Sequence, residues 1–170
     1  MTRETATTQL QCAARGWIAR RTLRSLSAQR QLSKRRVAIC REIVSTEESY
    51  VNSLSVMYRK FYLKLLNAHR MGSSIVSPDK LSVVFGQSGV LLQTHQSLLD
   101  ALLVAEPSGC FGQTFITYSP FFKAYATYVA NYSTALEALT QLRKSNPAFA
   151  SFLQRQEAKK KCKGQKLESF

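Results

Sequence analysis

Apolar residues recur in steps of three and four along the first half of the chain, the spacing of a helix that buries one side. The run from 17 to 71 contains neither Gly nor Pro, so no residue in it interrupts a helix. One buried stripe is predicted at Ile43, Tyr50, Leu54, Met57, Phe61 and Leu65. A separate polar face is predicted at Glu42, Ser45, Thr46 and Ser49. Such a helix packs one side into its own domain and offers the other to a partner.

A second helix is predicted to begin at Ser77, because Pro78 stands at the first helical position and Asp79 lies in the first turn. Its helical spacing continues without change to Leu102. We therefore predict one helix with a broad buried face at Leu81, Val84, Phe85, Leu91, Leu92, His95, Leu98, Leu99 and Leu102. On that face, His95 is predicted to be a hydrogen-bonded core residue rather than a ligand.

The clearest loop lies at 106–112, where one Pro and two Gly residues occur. Beyond it, an aromatic series keeps helical spacing at Phe115, Tyr118, Phe121, Phe122, Tyr125, Tyr128, Val129, Tyr132, Leu136 and Leu139. Base stacking on RNA is the alternative role for such a series, but Lys123 is its only basic residue, so core packing is favoured. Pro120 is expected to start or kink a helix, and Asn146 to cap a short one containing Phe149, Phe152 and Leu153. The prediction is an all-α fold, an elongated bundle of long helices.

The 170 residues, 45% of them hydrophobic, are enough for one domain and a short appendage. The net charge of +14 suggests nucleic acid, but its distribution weakens that interpretation. Residues 1–36 hold nine Lys/Arg and one acid, and residues 155–168 hold six Lys/Arg and two acids. The intervening 37–154 hold nine basic and seven acidic groups, so the basicity belongs to the two ends. A basic nucleic-acid-binding protein remains a third hypothesis.

Motifs for covalent or cofactor chemistry are not found in the sequence. The four Cys residues are widely spaced, no metal-ligand pair or phosphate-binding loop occurs, and neither His has a catalytic neighbour. Glu47 and Glu48 are adjacent, hence poorly placed as an acid/base pair. No apolar run approaches the length of a transmembrane helix. We expect no metal, no cofactor and no nucleic acid, in a cytoplasmic protein with reduced thiols. An Arg-rich mitochondrial presequence is the alternative for the first 36 residues.

A tighter pattern in those residues resembles an IQ motif, a binding site for calmodulin and related EF-hand proteins. Its defining positions are Leu10, Gln11, Arg15, Gly16, Arg20 and Leu23. On a helix, Leu10, Ile18 and Leu23 would be gripped by an EF-hand lobe while the Arg residues meet its acidic rim. Gly16 is costly in an ordinary helix and useful where a partner packs close to the backbone. The alternative is a solvated basic helix leading into the domain.

Residues 41–54, REIVSTEESYVNSL, resemble the first conserved region of Dbl homology domains, the exchange-factor module for Rho-family small GTPases. The order of Phe85, the Leu91-Leu92 pair and His95 is similar to the second conserved region. The spacing of Tyr125, Tyr128 and Tyr132 also resembles that family. The resemblance implies domain boundaries of 1–33 for a basic IQ helix and 34–170 for the N-terminal portion of a Dbl homology domain.

The resemblance also implies an activity, the release of GDP from a Rho-family GTPase. Glu42 would engage switch 1, with Ser45, Thr46 and Ser49 as neighbouring contacts. The alternative for Glu42 is an exposed carboxylate paired with a neighbouring Arg. The family's third conserved region is not found before residue 170, so we expect a chain truncated within the domain that exchanges nucleotide poorly. An IQ segment directly before the domain is the arrangement of Ras guanine-nucleotide-releasing factors. A non-catalytic, calmodulin-binding helical scaffold is the second hypothesis.

Overall fold

The computed structural model describes residues 3–162 and 166–169, and within them every regular element is helical. The chain divides into two units, Met1–Glu42 and Ile43–Phe170. The sequence pattern also predicts a solvated basic loop at 159–164 and the opening of another helix at 167–170, and of these Lys163, Gly164 and Phe170 lie outside the described residues. No helix in the described part of the chain combines the length and apolarity needed to cross a membrane.

Residues 3–42 of the first unit lie in one long helix, α1, which spans Arg3–Val56. Its only glycine is Gly16, and it contains no proline. The helix therefore continues through the predicted IQ segment. Large apolar side chains are exposed along this unit, at Leu10, Trp17, Ile18, Leu23, Leu26, Leu32, Val37 and Ile39. Because these side chains lack a core of their own, the helix offers apolar surface along its length.

The second unit begins within α1 and continues the same helical run. A π-helical segment at Met57–Tyr62 follows α1, and α2 spans Leu63–Arg70. Gly72, at φ +76°, ends the run in a conformation that side chains with a Cβ rarely adopt. The predicted stripe is confirmed at Leu54, Met57, Phe61 and Leu65, which are buried, whereas Ile43 and Tyr50 are half-buried.

Five further helices complete the second unit. They are α3 at Pro78–Phe85, α4 at Ser88–Ala105, α5 at Phe111–Tyr118, α6 at Ala124–Ser145 and α7 at Pro147–Glu157. Short 3₁₀ segments occur at Glu106–Ser108, Ser119–Lys123, Lys160–Cys162 and Leu167–Ser169. The predicted cap of α7 is confirmed, because the Asn146 side chain accepts a hydrogen bond of 3.0 Å from the Phe149 amide.

The core lies where α7 packs against the π-helical segment and against α6, with α3 also packed on α6. Phe61, Leu65 and Phe149 are fully buried there. The Phe61 and Phe152 rings meet edge to face, with centroids 6.5 Å apart. Burial of this kind is the main stabilisation available to the unit.

Two expectations from the sequence are wrong. The second helix is not continuous, because Gly86 adopts φ +25° and separates α3 from α4. The aromatic series is not wholly core, because Phe121, Val129 and Tyr132 are at least half exposed and Tyr128 is half-buried. Helical spacing placed these residues on one face but did not indicate how much of that face another helix covers.

Phe61→Ala should lower the free energy of unfolding by about 3 to 5 kcal/mol, because a fully buried ring leaves a cavity. Phe85→Ala should have a similar cost, and Tyr128→Ala a smaller one of about 1 to 3 kcal/mol. Urea denaturation followed by circular dichroism measures all three. Phe121→Ala is the control, since that ring is 56% exposed. A Phe61→Ala variant that unfolds like the parent would show that the assigned core is wrong.

Candidate functional site

The predicted partner-contacting face is exposed on α1. Glu42, Ser45, Thr46 and Ser49 all have exposed side chains. Their spacing of three and four residues places them along one side of the helix. We call these four positions of α1 the α1 polar face.

The hydroxyl group of Ser49 is already oriented by its own helix. Its Oγ donates a hydrogen bond of 2.9 Å to the Ser45 carbonyl oxygen. With the hydroxyl proton used inside the helix, the lone pairs of Oγ remain for an N–H donor from outside. The face thus presents a carboxylate and at least one hydroxyl oxygen as hydrogen-bond acceptors.

The opposite side of α1 in the second unit is buried. Val44, Val51 and Leu54 are buried, and Glu47 is half-buried in the same row. Steps of three and four residues place these positions on the side away from the α1 polar face. A carboxylate among these apolar side chains requires a partner.

The partner of Glu47 is His95, on α4. Nδ1 of the imidazole lies 2.5 Å from Glu47 Oε1, and the His95 side chain is 6% exposed. A carboxylate only accepts hydrogen bonds, so Nδ1 carries a proton and donates it. The prediction of a hydrogen-bonded core histidine is confirmed.

The second nitrogen of His95 reaches α6. Nε2 lies 2.7 Å from the Tyr125 hydroxyl, which in turn donates a hydrogen bond of 2.9 Å to the Tyr50 hydroxyl on α1. Burial, and then the hydrogen bond to Tyr50, raise the pKa of Tyr125 well above its usual value, so this hydroxyl remains neutral. These four residues, Glu47, His95, Tyr125 and Tyr50, form the histidine network, which joins α1, α4 and α6.

Aromatic rings enclose the histidine network. The Tyr50 ring meets the imidazole edge on, with centroids 4.7 Å apart, and the Phe122 ring stacks on it at 6.2 Å. These rings keep water from the polar groups, which strengthens each hydrogen bond and makes any missing partner costly. The network therefore fixes which side of α1 faces outward.

Sequence reasoning identified His95 but missed Glu47, which it considered only as one of two adjacent acids. Val44 and Val51 stand three residues before and four residues after Glu47, so Glu47 lies in an apolar helical row. That position was the signal that one of the two acids is turned inward. Glu48 is exposed.

The predicted calmodulin-contacting residues lie on α1 in the first unit. Leu10, Ile18 and Leu23 are 72%, 57% and 65% exposed, and Gln11, Arg15 and Arg20 are exposed as well. A Cβ added to Gly16 would approach only the flexible end of Arg20, at 3.2 Å from Nη1. The helix itself therefore tolerates a side chain at this position, and the need for glycine would have to come from a partner.

Residues 3–162 and 166–169 contain no candidate metal site, because no group of three or more His, Cys, Asp or Glu side chains among them is close enough to hold an ion. All four cysteines are free thiols, with Cys40 and Cys162 buried and Cys12 and Cys110 exposed.

In a comparison with known protein families, residues 39–170 match the RhoGEF domain. Human protein ECT2 (Homo sapiens) is 28% identical over 134 residues, covering 76% of this chain and 15% of that protein. Rac guanine nucleotide exchange factor B of Dictyostelium discoideum is 29% identical over 147 residues, covering 69% of this chain and 12% of that protein. Ras-specific guanine nucleotide-releasing factor 2 of Danio rerio is 26% identical over 171 residues, covering 95% of this chain and 14% of that protein. The chain thus spans less than a sixth of the length of these relatives.

Solved structures share the fold. The linker and DH/PH domains of p115-RhoGEF align with a TM-score of 0.70 and 22% identity, over 78% of this chain and 40% of that one. PDZ-RhoGEF, in its crystal complex with activated RhoA, aligns with a TM-score of 0.68 and 19% identity, over 79% of this chain and 39% of that one. The all-α bundle is therefore of the Dbl homology type.

Glu47→Ala should lower the free energy of unfolding by about 1 to 3 kcal/mol, because it leaves the buried Nδ1–H of His95 without an acceptor. Glu48→Ala is the matched control, with the same change in charge and helix propensity at an exposed position, and should stay within about 0.5 kcal/mol of the parent. Chemical denaturation of both variants measures the difference. Equal stabilities would mean that the histidine network does not hold α1.

Proposed function

The chain belongs to the RhoGEF family, whose members contain the Dbl homology domain, and on that premise we propose that it promotes GDP release from a Rho-family small GTPase. The proposed contact surface is the α1 polar face, with Glu42 engaging switch 1 and Ser45, Thr46 and Ser49 beside it. The observation that carries the proposal is the division of α1 into two sides. All four polar-face residues are exposed, while Glu47 on the other side is tied to His95.

A carboxylate suits this role because of what a GTPase switch offers. Glu42 would accept charge-assisted hydrogen bonds from a hydroxyl and a backbone N–H of switch 1. Those bonds hold the switch away from the magnesium ion and the nucleotide. No group of the exchange factor forms a covalent bond, so its contribution is entirely one of binding.

The proposed exchange follows from thermodynamic linkage. A protein that binds the nucleotide-free GTPase more tightly than the GDP-bound form must weaken the affinity for GDP by the same factor. Contacts made only in the nucleotide-free complex therefore accelerate release. The histidine network supports this, because a face that is fixed before binding loses less entropy when the complex forms.

We further propose that calmodulin or a related EF-hand protein binds the first unit at Leu10, Gln11, Arg15, Gly16, Arg20 and Leu23. The exposed Leu10, Ile18 and Leu23 would enter an apolar groove, as amphipathic helices do in EF-hand lobes. The alignment with Ras-specific guanine nucleotide-releasing factor 2 covers 95% of this chain, so it includes residues of both units. It supports the proposed order of an IQ segment followed by a Dbl homology domain. We place the protein in the cytoplasm, where its four free thiols stay reduced.

The second candidate function is a non-catalytic helical scaffold that binds calmodulin. The exposed apolar side chains of the first unit favour an interaction role whether or not exchange occurs. The two candidates differ in one measurable property. Only an exchange factor prefers the nucleotide-free GTPase.

Glu42→Ala should weaken binding to the nucleotide-free GTPase about ten- to a hundredfold, as expected for losing hydrogen bonds of about 1.5 to 3 kcal/mol. Its melting temperature should stay close to that of the parent, because Glu42 is exposed. The measurements are interferometry against Rho, Rac and Cdc42 proteins, each prepared without nucleotide and with GDP, and release of fluorescent GDP.

Glu48→Ala is the control for this experiment, since it removes the same charge from an exposed position about 120° around the helix from Glu42. It should bind like the parent. If the parent chain prefers no nucleotide-free GTPase over its GDP-bound form, the exchange proposal fails and the scaffold is the better account. If Glu42→Ala binds as the parent does, the assignment of Glu42 is wrong.

Replacing Gln11, Arg15 and Arg20 together with Ala should weaken calmodulin binding more than tenfold, since each charge-assisted contact contributes about 1.5 kcal/mol or more. Titration calorimetry with and without calcium measures this. The matched control replaces Gln29, Arg30 and Arg35, which removes the same side-chain types from the same helix outside the motif. Equal losses in the two triple variants would point to non-specific attraction between a basic helix and acidic calmodulin.

A further inference from the structure

Three lysines of the second unit converge beside the end of α7. Lys60 and Lys64 stand one turn apart, on the π-helical segment and on α2, and Lys159 follows α7. The ammonium groups of Lys64 and Lys159 both donate to one atom, Gln156 Oε1, at 3.3 and 2.9 Å. Gln156 is 6% exposed, so this acceptor is held in place by the packing around it.

The cluster has no carboxylate counter-charge in the described part of the chain, where the ion pairs use other groups. The nearby acids Glu157 and Glu168 both pair with Arg143 instead, whose Nη2 lies 2.6 Å from Glu157 Oε1 and whose Nη1 lies 3.1 Å from Glu168 Oε1. Glu157 also accepts a hydrogen bond of 3.1 Å from the Leu167 amide. The neutral Gln156 oxygen is therefore the acceptor that Lys64 and Lys159 share.

Neighbouring positive charges act on Lys64. The close approach of the Lys159 ammonium group, then partial burial, then the charge of Lys60 lower the pKa of Lys64. The buried Cys162 thiol lies among the same lysines, but burial raises its pKa and keeps it neutral. Among the described residues, Lys64 and Lys159 thus share a neutral oxygen and form no ion pair with a carboxylate.

We propose that Lys60, Lys64 and Lys159 form a binding site for a phosphate-bearing anion. Two ammonium groups on one fixed acceptor, with the third lysine one turn away, suit a multiply charged group with several oxygens better than a single carboxylate. Lysine binds phosphate as a point charge, and a bound anion would turn the repulsion among the three groups into attraction. The same chemistry is offered by a soluble inositol phosphate and by the headgroup of a phosphoinositide lipid. The proposal is independent of the GTPase and of the α1 polar face.

The test compares the parent chain with a variant in which Lys60, Lys64 and Lys159 are replaced by Gln. The matched control replaces Lys34, Lys80 and Lys123 by Gln, which removes the same charge from exposed positions elsewhere. The probes are inositol trisphosphate, inorganic phosphate and sodium chloride at equal ionic strength. Phosphatidylcholine vesicles with and without a phosphoinositide are a separate arm. The readouts are the melting temperature and the affinity for the probe.

Inositol trisphosphate should raise the melting temperature of the parent and of the control triple, and its affinity for the Lys60/Lys64/Lys159 variant should be at least tenfold lower. Without inositol trisphosphate, the melting temperature of the Lys60/Lys64/Lys159 variant should be no lower than that of the parent. This result would show that the variant folds. Retention on phosphoinositide vesicles, displaced by the soluble headgroup, identifies a lipid site, and binding without retention identifies a soluble ligand. Two outcomes would overturn the proposal. One is an equal loss of affinity for inositol trisphosphate in both triple variants, and the other is a rise in melting temperature no larger than that produced by sodium chloride.

Discussion

The pairing of Glu47 with the buried His95 is the contact on which the described arrangement of the second unit depends. Tyr125 occupies the other nitrogen of the imidazole, so one side chain ties α1, α4 and α6 together. Such a network is stabilising only when every member has its partner, because a buried polar group without one costs more than a hydrogen bond returns. This requirement specifies a single rotation of α1 about its axis, which a purely apolar contact between helices would specify less strictly.

The orientation of α1 about its axis gives the two sides of this helix different roles. The inward side carries Val44, Glu47, Val51 and Leu54, and the outward side carries the α1 polar face. For a protein that acts by binding a GTPase, the orientation of the outward side before the encounter reduces the entropy lost on association. The proposed role of Glu42 therefore rests on residues that would never touch the GTPase.

The two units obtain their helical structure in different ways. In the second unit, residues such as Phe61 and Phe149 are fully buried, and packing stabilises the helices that carry them. In the first unit, Leu10, Trp17 and Leu23 are exposed, so the helix gains no such burial. These exposed apolar side chains would be stabilised only when a partner covers them, and an EF-hand lobe would provide that cover. The lysine cluster beside α7 is the electrostatic counterpart, because Lys60, Lys64 and Lys159 form no ion pair with a carboxylate in the described part of the chain.

The amino-acid sequence by itself determined the helical character of the chain, the buried positions from Leu54 to Leu65, the cap at Asn146 and the burial of His95. These features depend on neighbours three or four residues away, which periodicity and capping chemistry describe. The tertiary structure alone decided the break at Gly86, because the apolar spacing is the same on both sides of it. It also decided how much of the aromatic face on α6 stays exposed. The approach of Glu47 to His95, and of Lys64 to Lys159, joins residues 48 and 95 positions apart in the chain. Local spacing carries no information about contacts at that range, since they arise only when whole helices pack against one another.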